Sequence, residues 1–289
     1  MHVVAIDDVA RIQGLEHRSG SFFSRTPVKG EPGTAGNFKF SLSENGTDHF
    51  GPRHRHNFEQ FRYIISGEMD FDRDGTLTEG MLGYFPEGVR YGPQTNKRPT
   101  TTAILQFGGA SGSGYLQPKE VREGMQALKK LGEFKDGVFR RHDGVRGKRN
   151  MEAYEAIWEH VTQRELVYPK PRYAAPILMD TANFAWAPVA NGVYEKLCGV
   201  FTERRASAGL VKLDPGATHP VSGRGIYFVL SGEGRAGEQR FSGFTTVFLD
   251  AGERAALTAT SATEILHYGL PDLASLTDAA FAPARVAAE

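Results

Sequence analysis

The residues best equipped for chemistry in this sequence stand together in Gly51-Pro52-Arg53-His54-Arg55-His56-Asn57-Phe58-Glu59-Gln60. Alternate side chains of an extended strand share a face, so His54, His56 and Gln60 are expected on one side and Glu59 on the other. Two neutral imidazoles two residues apart, angled at one point inside a barrel, make half of a site for a first-row divalent metal. Glu59 joins them, as an acid or base, only if a bulge turns it inward. Arg62 follows Gln60 by two, and on the inner face its guanidinium would fix a carboxylate or enolate by bidentate hydrogen bonds. The spacing is equally compatible with an outward Arg62 on a twisted strand. His49 shares the parity of neither histidine and is a reserve ligand.

Around these residues the pattern is that of a β protein. Glycine contributes 34 of 289 residues, well above the usual ~7%, and it separates short runs rich in Val, Ile, Phe, Tyr and Thr. Phe38-Lys39-Phe40-Ser41-Leu42 alternates with the period of a half-buried strand. Further strands are expected at Phe61–Ile65, Gly67–Asp72, Met81–Phe85 and Thr101–Phe107, with a turn at Asp74-Gly75. Gly108 to Gly114 reads as a linker, without the Gly-Lys-Ser/Thr ending of a phosphate-binding loop. Beyond Pro118, the stripe Val121, Met125, Leu128 and Leu131 predicts a helix capped by Gly132. A second helix is expected from Asn150 as N-cap, burying Met151, Tyr154, Trp158 and Val161. Between the helices lies a basic cluster, Arg140, Arg141, Arg146, Lys148 and Arg149, read as a solvated loop rather than a nucleic-acid surface.

From about Thr181 the β pattern returns, and its order repeats the first half. Ile64-Ile65-Ser66-Gly67-Glu68 matches Val229-Leu230-Ser231-Gly232-Glu233, and Tyr84-Phe85-Pro86-Glu87-Gly88 matches Phe248-Leu249-Asp250-Ala251-Gly252. Two copies of one domain follow from this. The division is residues 1–114, a helical insert at 115–180, and residues 181–289.

These motifs resemble the cupin superfamily. Its first motif is matched by Gly51, His54, His56, Gln60 and Gly67, and its second by Gly80, Pro86-Glu87-Gly88 and Tyr91. Two of the four usual metal ligands are replaced, Glu by Gln60 and His by Tyr91. In the second copy the matching positions hold His219, Val221, Gly225 and Ala255, which leaves one imidazole. The resemblance implies an all-β fold of two cupin-type β-barrels (double-stranded β-helix or jelly roll), the second degenerate. It implies a small organic molecule bound in the first barrel and one divalent transition metal (Fe, Mn, Ni, Cu or Zn) on His54, His56 and Gln60. Loss of the carboxylate tilts such a site toward Ni, Cu or Zn. The activity would be that of a mononuclear metal-dependent dioxygenase or isomerase. Gln60 cannot serve as acid or base, which leaves Tyr91 or Glu59 for catalysis and Arg62 for substrate binding. The alternative is a metal-free binding or sensor bicupin in which His54, His56, Gln60 and Tyr91 hydrogen-bond the ligand directly.

Composition narrows the remaining classes. Lys plus Arg equals Asp plus Glu at 34 each, so no global field gathers nucleic acid or an anionic membrane. A single cysteine, Cys198, excludes an intramolecular disulfide framework. The N-terminus lacks a signal-peptide pattern and no apolar run reaches bilayer length, so a cytoplasmic protein is expected. A nucleophile elbow, a His-Glu-x-x-His motif and a dinucleotide fingerprint are all missing. Exposed edge strands predict a homodimer.

Overall fold

The computed structural model describes residues 1–14, 20–32, 34, 36–109, 111–112, 114–202 and 204–271. Both halves are built by antiparallel pairing. The large N-terminal sheet runs in the order Ile177–Asp180, Met81–Phe85, Phe58–Asp70, Gln94–Gly108, Phe38–Asn45, Phe22–Lys29, Ile12–Gln13. The C-terminal half holds a seven-stranded and a four-stranded sheet. Each large sheet takes a strand from across the expected boundaries. His2–Ala5 pairs with Thr245–Leu249 in the C-terminal sheet, and Ile177–Asp180 pairs with Met81–Phe85 in the N-terminal one.

The alternation along Phe38–Asn45 acquires its meaning here. Phe38, Phe40 and Leu42 join a core that also contains Phe201, Leu210, Phe228, Leu266 and Tyr268. The apolar face of the first large sheet therefore packs against the apolar face of the second. Phe61 stacks on Tyr268 with ring centroids 5.4 Å apart, and Tyr84 stacks on Phe201 at 4.2 Å. Each such buried ring contributes about 1.5–3 kcal/mol. Tyr268 Oη donates to the Ala103 carbonyl at 3.2 Å, so its hydroxyl enters this core already paired. The polar face of the same strand, Lys39, Ser41, Ser43 and Asn45, is turned the other way, into the interior of the N-terminal barrel.

The interior of the second half is different. Val211, Leu213, Val229, Val247, Leu249, Leu257 and Ile265 fill it with aliphatic side chains. Val221 is buried among them, and His219 reaches Glu195 at 3.4 Å.

The insert consists of α1 (Pro118–Leu128), α2 (Ala153–Thr162) and three short strands between them. α2 begins two residues later than expected, with Glu152 rather than Asn150 as its N-cap. Asn150–Glu152 is a strand paired with Val138–Arg141, and the Glu152 carboxylate caps the helix by accepting from the Glu155 amide at 2.9 Å. Gly132 does not cap α1; it opens a strand where an added Cβ would lie 2.2 Å from the Arg140 carbonyl oxygen. In the basic cluster, Arg149 pairs with Asp143 at 2.7 Å. No helix among the described residues is long and apolar enough to cross a membrane.

Candidate functional site

The two motif segments meet at a single β-bridge. The His54 amide donates to the Tyr91 carbonyl at 3.1 Å, and the Tyr91 amide donates back at 2.9 Å. His54 and His56 do not sit on a strand as expected; they precede the Phe58–Asp70 strand, in a segment pinned by this bridge. The shared facing survives nonetheless, and His54, His56, Gln60 and Arg62 all line the barrel interior. The two imidazoles are 4.7 Å apart, edge to face. His54 Nδ1 lies 2.6 Å from the Pro52 carbonyl oxygen. A carbonyl only accepts, so in the neutral ring Nδ1 carries the proton and Nε2 the lone pair. His56 is stacked on Phe58 at 4.3 Å.

Arg62 is buried at the centre of the cluster, 6% exposed. Its Nε and Nη2 donate to Gln60 Oε1 at 2.9 and 2.7 Å, Nη1 donates to Gln94 Oε1 at 3.0 Å, and Nη2 donates to Tyr91 Oη at 2.7 Å. The guanidinium also lies over the Phe85 ring, 4.4 Å from its centroid. A guanidinium has donors and no acceptor, so both amides must turn their oxygens to it. That leaves the Nε2 groups of Gln60 and Gln94 as donors for the cavity they line. The Tyr91 oxygen accepts from Arg62 and stands 3.3 Å from His56 Nδ1, which links the guanidinium to that ring.

Glu59 does not join this group. The ladder between Phe58–Asp70 and Gln94–Gly108 runs in unbroken register through Glu59, and its first shift comes only between Ile64 and Ser66. Without a bulge the side chain keeps its parity and lies on the inter-sheet face, where Tyr84 Oη donates to it at 2.9 Å. Burial, reinforced by the Glu59 charge, pushes the Tyr84 phenol well above its ordinary range. Cys198 lies in the same inter-sheet core, and burial raises its thiol to about 11, as suits a packing residue.

The inward faces enclose a cavity of about 230 Å³. Its floor is polar: Lys39, Ser41 and Ser43 from one strand, then Gln106 and Gln94, then Gln60 and Arg62, with His49 beside them. Its roof is the insert, through Tyr115, Leu116, Val121, Arg122 and Tyr154. Gln117 Nε2 donates to the Phe38 carbonyl at 3.3 Å, and Asn57 Nδ2 donates to the Gly114 carbonyl, tying roof to barrel. Among the described residues no Asp or Glu lines the cavity, whereas Lys39, Arg62 and Arg122 do. The Lys39 ammonium has no hydrogen-bond or ion-pair partner among the described residues, and burial lowers its pKa to about 8. Lys39, Gln94 and the roof were not singled out from the sequence. The signal for Lys39 was its place on the polar parity of the Phe38–Asn45 strand.

Of the side chains matched to the cupin ligand positions, Gln60 and Tyr91 are engaged with Arg62, and the two imidazoles stand beside them. Gln60 Oε1 and Tyr91 Oη both accept from a guanidinium, so a divalent cation placed between them would sit against a permanent positive charge. No group of three or more His, Cys, Asp or Glu among the described residues is placed to hold a metal ion.

No family model and no curated protein matches the sequence. Solved structures do match. A candidate dioxygenase from Nostoc punctiforme is 10% identical, with 93% of this chain and 82% of that chain covered and a TM-score of 0.63. A candidate glyoxylate-induced protein from Pseudomonas aeruginosa is 13% identical, with 93% and 88% covered and a TM-score of 0.58. Oxalate decarboxylase from Bacillus subtilis is 13% identical, with 93% and 76% covered and a TM-score of 0.55. At such identities the likeness is one of fold, and that fold is the two-barrel cupin fold.

Proposed function

We propose, with the bicupin fold as the premise, that the N-terminal barrel binds a small organic anion and that Arg62 supplies the positive charge that selects it. The observation that carries this reading is the cavity lining, which holds cationic side chains and, among the described residues, no acidic one. A buried cation costs free energy unless something offsets it. Gln60, Gln94 and Tyr91, which accept from Arg62, are neutral, and they fix the orientation of the guanidinium at the cavity wall. An anion entering the cavity meets the Nε2 donors of Gln60 and Gln94 in the field of the guanidinium behind them. Its volume lies below the ~300–1,000 Å³ of drug-sized pockets and suits a small metabolite.

The donor set supports this metal-free reading over a metal-dependent dioxygenase or isomerase. Two imidazoles remain for a metal, while Gln60 and Tyr91 are engaged with Arg62. The test is calorimetric titration of untagged protein with butyrate and glutarate, wild type against Arg62→Met, alongside elemental analysis. Carboxylate binding weakened more than about tenfold in the variant, with little bound metal, is expected. Near-stoichiometric metal that disappears in a His54→Ala, His56→Ala double variant would overturn the reading, as would unchanged binding in Arg62→Met.

A further inference from the structure

Arg62 accounts for one end of the cavity, and a second cation faces the same space from across the sheet. Lys39 pairs with Gln106, and Gln106 pairs with Gln60, so Lys39 stands two strands from Gln60 on the same face. Arg62 lies two residues further along. Strands spaced ~4.8 Å apart and rising ~3.4 Å per residue put the Cα atoms of Lys39 and Arg62 ~12 Å apart. On the intervening strand Ile104 pairs with Arg62, so the floor between the two cations is an aliphatic side chain followed by the Gln106 amide. Tyr115, Leu116 and Val121 roof this stretch with apolar surface.

We infer that Lys39 is a second anion anchor and that the ligand is a dicarboxylate whose acid groups are separated by a short methylene chain. This rests on the anion-binding reading of the same cavity. A monocarboxylate held at Arg62 leaves the Lys39 ammonium without a counter-charge among the described residues. Two carboxyl groups joined directly are too short to reach both cations. A methylene spacer lies along Ile104 and beneath the apolar roof, and removing that surface from water adds to the affinity. The depressed pKa of Lys39 fits a largely buried cation with no acid beside it among the described residues.

The test compares glutarate with butyrate by calorimetry at neutral pH, in wild type, Lys39→Met, Lys39→Arg and Arg62→Met. In wild type glutarate is expected to bind at least about tenfold more tightly than butyrate. Lys39→Met is expected to remove that advantage, cutting glutarate affinity at least about tenfold and butyrate affinity by much less, and Lys39→Arg restores the advantage. Thermal melts show whether each variant is folded, and the charge-restoring Lys39→Arg separates loss of the anchor from loss of packing. Equal affinities in wild type, or an advantage that persists in Lys39→Met, overturn the second anchor while butyrate binding at Arg62 stands. Failure of wild type to bind either acid overturns both this inference and the reading it rests on.

Discussion

Gln60 is the position at which the anion-binding argument is most exposed to experiment. Its Oε1 accepts two hydrogen bonds from Arg62, at 2.7 and 2.9 Å. Gln60→Glu preserves size and shape but puts a carboxylate at those contacts, where it forms a bidentate pair with the guanidinium. A negative charge then stands against the guanidinium, and the cavity donor at Nε2 becomes an acceptor. A ligand carboxylate about 6 Å from the new charge, at an effective dielectric of about 20, is opposed by about 3 kcal/mol. That corresponds to roughly a hundredfold loss of affinity. The melting temperature should rise, because a carboxylate replaces a neutral acceptor on a guanidinium that is already buried. The assay is calorimetric titration with glutarate at fixed ionic strength, with chelator present so that a metal recruited by the new carboxylate does not mask the loss. Gln60→Ala, which removes the acceptor without adding charge, is the comparator and should lose much less. Equal or tighter glutarate binding by Gln60→Glu would refute the assignment of Arg62 as the selecting charge.

Other perturbations follow from the same contacts. Tyr91→Phe removes a buried acceptor from Arg62 and should cost about 2 kcal/mol of stability, read by denaturant melts, with a smaller loss in glutarate affinity. Glu59→Gln, on the opposite face, should leave glutarate affinity within about twofold while lowering the melting temperature, since it weakens the contact with Tyr84 away from the cavity. Lys39→Met should stabilise the protein. The ammonium titrates near 8 when folded against an ordinary 10.5, so below pH 8 both states are protonated and the folded one bears the desolvation cost. The variant is therefore expected to be more stable at pH 7 by about 1–3 kcal/mol. Between pH 8 and 10.5 the unfolded state binds more protons, wild-type stability rises, and the gap closes. Facing Lys39 are Lys29 from the neighbouring strand and His49, His54, His56, Arg62 and Arg122 around the cavity. A variant no more stable than wild type at pH 7 would show that Lys39 bears no such cost.

Much of this was legible in the chain itself. Parity along Phe58–Arg62 separates Glu59 from Gln60 and Arg62 before any coordinates are known, because a strand with no bulge has a fixed period of two. The duplication of Ser-Gly-Glu segments at residues 66–68 and 231–233 announces two like halves. The fate of the second copy was visible in Val221 and Ala255, which belong to an aliphatic interior. Less legible were local boundaries such as Asn150, where pairing with Val138–Arg141 outcompeted a helix start.

What the sequence determined, then, was two faces for every strand and which residues share them. Only the tertiary structure decided what covers each face. Phe38, Phe40 and Leu42 pack against the other half of the molecule, so the polar set Lys39, Ser41 and Ser43 faces inward onto a cavity rather than outward to water. It also decided that Gln60 and Tyr91 serve a guanidinium, through contacts that join Arg62 to residues up to 32 positions away. The physical reason is one of range. Alternation is fixed by the local backbone, whereas the neighbour a face meets depends on how distant segments bury their apolar surface together.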